Sequence, residues 1–355
     1  MDLSARRPGP DVVRAVAMFG VVMMNYHGYL LIRGGVRGDG VLDDVFDPWT
    51  GPLSTRFAST FVLVAGIGVT LMTNSAIGDR ARITAMRWRL ARRGLVLYAG
   101  GLLFDFLWPG TILPFYGVMF VLAAGMFTLR TRWLVVIGVG AALAGWLVRW
   151  WVYEQFVDGR STAWLTDPPQ RSPRSLVFDM FVNGTHPLLP WLAFFCAGIV
   201  LGRMLTLDWW RPAALGAGFV LYSAATLASA LATAERSRVV LSDGPFDRGV
   251  VYVASALGTA LVAYASISWV ADRYESTAVV DTLRRAGQLS LTVYLGHALV
   301  FNLVVDWLDL LQPAGVATAF AAALTYWVVA VALAGEYQRR FGRGPAEQLY
   351  RHLTA

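Results

Sequence analysis

Ten apolar segments, each close to the length that crosses a bilayer, run through this 355-residue chain. A transmembrane helix needs about 20 predominantly apolar residues, and the segments lack the alternating pattern of a membrane β-strand. We therefore predict an all-α integral membrane protein, a polytopic bundle of about ten transmembrane helices. The predicted spans are residues 12–32, 54–73, 94–108, 112–129, 133–151, 187–205, 212–233, 248–270, 287–305 and 315–334.

The composition agrees with a membrane location. Only 15% of the residues are charged, and the mean hydropathy is +0.53, whereas soluble globular proteins carry about 25% charged residues. The single cysteine, Cys196, can form no internal disulfide. Every basic residue is arginine, which is typical of a GC-rich genome. We therefore predict a multi-pass protein of the plasma (inner) membrane of a bacterium.

The distribution of arginine indicates the orientation. Ten spans place both termini on one side of the membrane, and 20 of the 30 arginines then lie on that side. The net charge is +11 on that side and −4 on the other. Because cytoplasmic loops carry the excess of basic residues, we predict that both termini are cytoplasmic. The excess of arginine is explained by topology, so we expect no nucleic-acid partner.

The predicted organisation is one transmembrane domain over residues 1–355. It has two long external loops at 33–53 and 152–186, a basic cytoplasmic loop at 74–93 and a cytoplasmic tail at 335–355. The arginines of the basic loop suit the phosphates of a nucleotide cofactor or of anionic lipid. A simple role in setting the topology is the alternative.

The first span carries Arg14, Asn25 and His27 in otherwise apolar sequence. An ionisable residue inside a membrane span indicates a functional site. Each helical residue turns about 100°, so Asn25 lies on nearly the same face as Arg14, and His27 lies near the opposite side. We predict that this span forms the wall of a polar passage. No P-loop, HExxH, paired CxxC or G-x-S-x-G motif is present, and we predict no metal.

Several short motifs follow one another in a particular order. They are Asp11–Ala17 with Asn25 and Tyr26, Phe61–Gly68, Trp108–Leu113, His186–Trp191, Gly287–His297 and Arg343–Glu347. This ordered series resembles the heparan-α-glucosaminide N-acetyltransferase-like membrane proteins and their bacterial relatives, which are related to the acyltransferase type 3 proteins.

The resemblance implies a transmembrane acyltransferase. Such an enzyme moves an acyl group, in the first instance acetyl, from cytoplasmic acetyl-CoA or another acyl-CoA to a hydroxyl or an amine. A carbohydrate of the cell envelope or a lipid-linked sugar is the expected acceptor. Membrane lipids are further expected partners. A second copy of the chain is another, because relatives of this kind often dimerise.

The resemblance also suggests catalytic residues. The glucosaminide group is expected to use a histidine in the first external loop, but this chain has none between residues 28 and 185. His27 is then the nearest candidate base, with Asn25 as a donor to the oxyanion or the substrate. His297, in the middle of its span, is the other candidate base. His27 could instead be a histidine at the membrane surface bonded to a neighbouring span. His297 must be satisfied by a partner within the membrane, and a polar cavity is a reasonable one.

Further residues are expected to hold the two substrates. Arg14, with Arg87 and Arg89 behind it, is the predicted contact of the CoA phosphates, and an ion pair with Asp11 is the alternative for Arg14.

Asp105, His186 and Trp191 are the predicted contacts of the acceptor. Their alternatives are an exposed acid at a helix end, a histidine at the membrane surface and an interfacial tryptophan.

Two other functions use the same polar residues. A transporter or exporter of small molecules or lipids would bind its cargo without chemistry and without dependence on CoA. A structural subunit of an envelope complex would tolerate the loss of every histidine.

Overall fold

The computed structural model describes residues 8–170 and 172–354, and the regular structure in this part of the chain is entirely helical. The prediction of an all-α protein is confirmed for these residues. The α-helices are α1 Gly9–Ile32, α2 Val41–Val45, α3 Arg56–Thr73, α4 Arg80–Phe104, α5 Leu113–Met126, α6 Thr131–Val157, α7 Ala163–Thr166, α8 Pro173–Phe178, α9 Leu188–Met204, α10 Trp210–Ala230, α11 Glu235–Leu241, α12 Val250–Arg273, α13 Ala278–Gln288, α14 Ser290–Phe301, α15 Val316–Phe341 and α16 Pro345–Thr354. A 3₁₀ turn, Asn74–Ala76, follows α3, and π-helical segments, Asp179–Asn183 and Asn302–Trp307, follow α8 and α14.

Seven helices among the described residues are long and apolar enough to cross a membrane. They are α1, α3, α6, α10, α12, α14 with its π-helical extension, and α15. The segments Pro173–Asn183 and Leu188–Met204, bent by 53° at their break, form an eighth if they are counted as one span. The chain is therefore a multi-pass membrane protein.

The other two predicted spans coincide with helices that are too polar or too short for this criterion. Residues 94–108 correspond to the second half of α4, whose first half carries six arginines. Residues 112–129 correspond to α5, which has 14 residues. The count of ten spans and the cytoplasmic location of the termini remain predictions.

The basic segment at 74–93 differs from the prediction of a loop, because residues 80–93 form the first half of α4. The Asp79 carboxylate caps this helix and accepts hydrogen bonds from the backbone N–H groups of Ala81 and Arg82 at 2.9 and 3.1 Å. Such a cap satisfies donors that have no partner within the helix. Alanine, leucine, methionine and arginine also favour helix, so the basic segment continues directly into the apolar one.

The chain divides into two compact units. Among the described residues, the first unit comprises 8–64 and Thr259–Leu353, and the second comprises 65–170 and 172–258 with Thr354. Helices α3 and α12 are each divided between the units. The assignment of the whole chain to one functional domain stays a prediction.

In the first unit, α1 packs against α13, α14 and α15. Helix α1 contributes fully buried apolar side chains such as Val13, Val22 and Met23. A Cβ atom added to Gly287, near the end of α13, would lie 1.8 Å from the carbonyl oxygen of Asp11. Only glycine permits this close approach between the two helices.

In the second unit, α4 packs on α5, and α6 packs on α9. A Cβ atom added to Gly94 would lie 2.5 Å from the carbonyl oxygen of Gly117. Small residues of this kind let membrane helices approach closely. Helix α9 contributes fully buried Phe194 and Phe195 to the core of this unit.

Candidate active site

His27 is held inside the first unit by a bond to the following loop. Its side chain is fully buried, and its Nδ1 lies 2.8 Å from the carbonyl oxygen of Phe46. A carbonyl oxygen only accepts hydrogen bonds, so we assign the proton of the neutral ring to Nδ1. Nε2 then carries the lone pair, and it has no hydrogen-bond partner among the described residues. His27 thus offers a buried basic nitrogen.

The loop that supplies the Phe46 carbonyl is anchored by the buried carboxylate of Asp47. Its Oδ1 accepts hydrogen bonds from the backbone N–H groups of Trp49 and Thr50 at 2.9 and 2.7 Å and from the Thr50 hydroxyl at 2.9 Å. Arg37 Nη1 lies 3.2 Å from Oδ2. Burial opposes ionisation of Asp47, but these donors and the Arg37 charge outweigh it and hold the pKa below its ordinary value.

His297 is equally buried, but both of its ring nitrogens are engaged. Nδ1 donates to the carbonyl oxygen of Tyr294, one turn earlier in α14. Nε2 therefore carries the lone pair, and it lies 3.0 Å from Asn25 Nδ2, which donates to it. The Tyr26 hydroxyl also donates to the His297 carbonyl oxygen at 2.9 Å. His297 is thus bonded to the neighbouring helix α1 through Asn25 and Tyr26.

Asn25 and His27 therefore belong to different parts of the first unit, as their positions on the helix predicted. The amide of Asn25 is directed to α14, whereas His27 is directed to the loop after α1. The structure brings Asn25 together with His297 and not with His27.

Arg14 is paired with a carboxylate. Its Nη1 lies 2.9 Å from Asp11 Oδ1, and the side chain of Arg14 is 22% exposed. The Nε2 of Gln288 donates to the other oxygen of Asp11 at 3.0 Å, and Gln338 donates to Gln288. These side chains join α1, α13 and α15. The alternative of an Asp11–Arg14 ion pair is the arrangement present.

Arg87 and Arg89 are exposed on the first half of α4, in the second unit. Arg87 Nη2 donates to the Thr128 hydroxyl at 3.3 Å. Because residues two positions apart on a helix are separated by about 200°, Arg87 and Arg89 do not share a face. The structure does not bring them into one cluster.

The predicted acceptor contacts lie near one another in the second unit. The rings of His186 and Trp191 meet edge to face with their centroids 4.6 Å apart. Asp105 accepts a hydrogen bond from the Gly110 N–H at 2.8 Å. A Cβ atom added to Gly110 would lie 2.8 Å from the hydroxyl oxygen of Thr185. The Asp105 turn is therefore packed against the residue that precedes His186.

Arg248 also belongs to this region, although from the sequence we expected of it only a charge on the external side of the membrane. It is 7% exposed, and its Nη1 donates to the carbonyl oxygens of Val182 and Asn183 at 2.9 and 3.2 Å. Burial, followed by the nearby charge of Arg149, lowers the pKa of Arg248 to about 10. Its charge also acts on the His186 ring. The only sequence signal was an arginine at the first position of a predicted apolar span, residues 248–270.

A family model described as "Heparan-alpha-glucosaminide N-acetyltransferase, catalytic" matches residues 6–231, which is more than half of the chain. The chain belongs to this family. The matched segment contains Asn25 and His27 of the first unit, and His186 and Trp191 of the second. A second model, "Protein of unknown function (DUF418)", matches residues 191–355, which include His297. No curated protein matched the chain.

Within residues 8–170 and 172–354, no group of three or more histidine, cysteine, aspartate or glutamate side chains is placed to hold a metal ion.

Proposed function

We propose that this protein is a transmembrane acyltransferase. It moves an acyl group, acetyl in view of the family's name, from cytoplasmic acyl-CoA to a hydroxyl or amine of an envelope carbohydrate or lipid-linked acceptor. The observation that carries the proposal is His27 on a membrane helix, whose buried Nε2 has no partner within residues 8–170 and 172–354. It lies in the segment that matches the family, residues 6–231.

The proposed chemistry uses His27 as a general base. Nε2 accepts the proton of the acceptor hydroxyl or amine while the oxygen or nitrogen attacks the thioester carbonyl carbon. The tetrahedral intermediate then expels the CoA thiolate as the carbon–sulfur bond breaks, and the proton on Nε2 passes to the thiolate sulfur. The Nδ1–H bond to the Phe46 carbonyl would stabilise the imidazolium that forms in between. Because His27 is fully buried, substrates must displace the groups that cover it.

The remaining site residues are part of the same proposal. We propose ten spans in a bacterial plasma membrane, with both termini in the cytoplasm. In this topology Arg14, Arg87 and Arg89 lie on the cytoplasmic side, where acyl-CoA is found. Arg14 would exchange Asp11 for a phosphate oxygen, since guanidinium groups bind both in the same geometry. On this proposal Asp105, His186 and Trp191 contact the acceptor, and Asn25 positions His297.

The decisive experiment measures thermal stabilisation of the detergent-purified protein by acetyl-CoA, longer acyl-CoAs and free CoA. A ligand that binds the folded state at about 100 times its dissociation constant stabilises it by about 2.7 kcal/mol. We expect acyl-CoA to raise the melting temperature more than free CoA does, and Arg14→Gln to reduce that shift. Transfer of labelled acetyl to envelope fractions should be lost in His27→Ala and retained in His352→Ala, a substitution in the exposed tail helix.

The opposite result has a specific meaning. If no CoA species shifts the melting of folded protein, the acyltransferase proposal fails and a transporter becomes the better hypothesis.

A further inference from the structure

Three side chains of the second unit bring unsatisfied polar atoms into one buried region. Arg248 Nε, Trp191 Nε1 and His186 Nδ1 are each buried without a hydrogen-bond partner among the described residues. Trp191 is 1% exposed and Arg248 is 7% exposed. The rings of Trp191 and His186 are in contact, and Arg248 bonds the carbonyl oxygens of Val182 and Asn183, shortly before His186 in the chain.

These groups are available to bond a partner from outside the chain. Leaving a polar group buried and unbonded costs free energy, and a buried charge costs more unless it is paired. Arg248 forms no ion pair with any carboxylate in the described part of the chain, and the neighbouring Asp247 lies 3.6 Å from Arg149 instead. The two hydrogen bonds from Arg248 to carbonyl oxygens hold the guanidinium in place without neutralising it.

The chemistry of the three atoms indicates what the partner is. The indole N–H of Trp191 and the guanidinium Nε–H of Arg248 can only donate, and His186 Nδ1 can donate in one of its tautomers. A ligand that only accepts hydrogen bonds and carries negative charge satisfies all three. Carboxylate, phosphate and sulfate groups have this character, and arginine binds them with charge-assisted bonds.

We infer that Arg248, Trp191 and His186 form a binding subsite for an oxyanion group. The identity of the group rests on the proposed function. If the protein is an acyltransferase, the oxyanion belongs to the acceptor, and the acceptor is an acidic sugar or a sugar linked through phosphate. As a site for oxyanions, the cluster does not depend on the acyltransfer reaction.

The test measures the melting temperature of the full-length protein in neutral detergent with increasing concentrations of defined probes. They are inorganic phosphate, glucuronate, glucose 1-phosphate and phosphatidic acid, with glucose as the uncharged control and acetyl-CoA in a parallel series. We expect at least one oxyanion probe, and not glucose, to raise the melting temperature with saturation. If only glucuronate or glucose 1-phosphate raises the melting temperature, the ligand is a soluble sugar acid or sugar phosphate. If only phosphatidic acid raises it, the ligand is a lipid phosphate.

Conservative variants then assign the site. Trp191→Phe keeps the ring and removes the unpartnered N–H, and Arg248→Lys keeps the charge and removes Nε. Each should weaken the apparent affinity for the oxyanion about tenfold, the effect of one charge-assisted hydrogen bond. The acetyl-CoA response should be unchanged. The exposed Trp209 and half-exposed Arg149 supply matched controls, Trp209→Phe and Arg149→Lys, which should bind like the wild type.

The outcomes separate this inference from the proposed function. A response to acetyl-CoA with no response to any oxyanion probe overturns the subsite and leaves the acyltransferase intact. An oxyanion response that depends on Trp191 and Arg248, without any acetyl-CoA response, supports the subsite and removes the acyltransferase. Unchanged oxyanion affinity in folded Trp191→Phe overturns the subsite, and this variant decides the matter if Arg248→Lys does not fold.

Discussion

His27 and His297 lie in the same unit, are equally buried, and each place Nδ1 against a backbone carbonyl. They differ at the second nitrogen. His297 Nε2 receives the amide of Asn25 from α1, whereas His27 Nε2 has no partner among the described residues. One ring is tied between two helices, and the other is held on one side only.

The difference shows that burial and residue type do not separate a reactive histidine from a structural one. A base needs a lone pair that is oriented but unoccupied. In both histidines, the bond from Nδ1 to a backbone carbonyl fixes the orientation of the ring. In His297, the amide of Asn25 also donates to the lone pair of Nε2. The following predictions test this distinction, beginning with the largest expected effect.

The loss of the His27 ring should have the greatest consequence. We expect His27→Ala to lower the rate of acyl transfer by about 10²–10⁴-fold, the usual contribution of a general base. His297→Ala should lower the rate much less and act mainly on stability. Initial rates with labelled acetyl-CoA, in variants whose melting shows them to be folded, measure both. A larger rate loss in His297→Ala than in His27→Ala would reverse the comparison.

The bond between Asn25 and His297 should appear as a coupling energy. Asn25→Ala removes a hydrogen bond to the buried Nε2 of His297 and should destabilise the protein by about 1–3 kcal/mol. A double-mutant cycle of Asn25→Ala with His297→Ala should give a coupling of about 1 kcal/mol. The matched cycle of Asn25→Ala with His27→Ala should give a coupling close to zero, because the two side chains bond to different elements. Equal couplings in the two cycles would contradict the distinction.

The tail helix should stabilise the helix that carries His297. Glu347 Oε1 accepts hydrogen bonds from the N–H groups of Leu291 and Thr292 at 2.8 and 3.0 Å, at the start of α14. Because an end cap contributes about 1 kcal/mol, Glu347→Ala should speed amide hydrogen exchange in the first turn of α14. Exchange in α1 around His27 should not change. Glu275→Ala, at an exposed residue, is the control. If Glu275→Ala speeds exchange in the first turn of α14 as much as Glu347→Ala does, Glu347 is not the cap of α14.

The smallest effect concerns the loop beside His27. Because the pKa of Asp47 is lowered in the folded state, its contribution to stability is present above the ordinary value of 3.8 and is lost as pH falls through the folded pKa. Asp47→Asn keeps an accepting oxygen but loses the charge that faces Arg37, so we expect a loss below about 1 kcal/mol at neutral pH. The wild type should lose this advantage in acid. Melting curves against pH, with the exposed Asp39→Asn as control, measure it.

Much of the architecture could be predicted from the chain alone. The apolar segments locate helices because a backbone in lipid must satisfy its own hydrogen bonds. The error at residues 80–93 has a physical cause, since arginine marks the end of the apolar core but also favours helix. The polar character of α1 could also be predicted from the sequence.

The sequence by itself determined the class of the protein, its membrane helices and the set of unusual polar residues, because these depend on local composition and length. Only the tertiary structure decided which of His27 and His297 keeps a ring nitrogen without a partner among the described residues. The Asn25–His297 bond spans 272 positions of sequence, and Arg248 reaches carbonyl groups 65 and 66 positions away. Such partners are set by helix packing, and no local pattern encodes them.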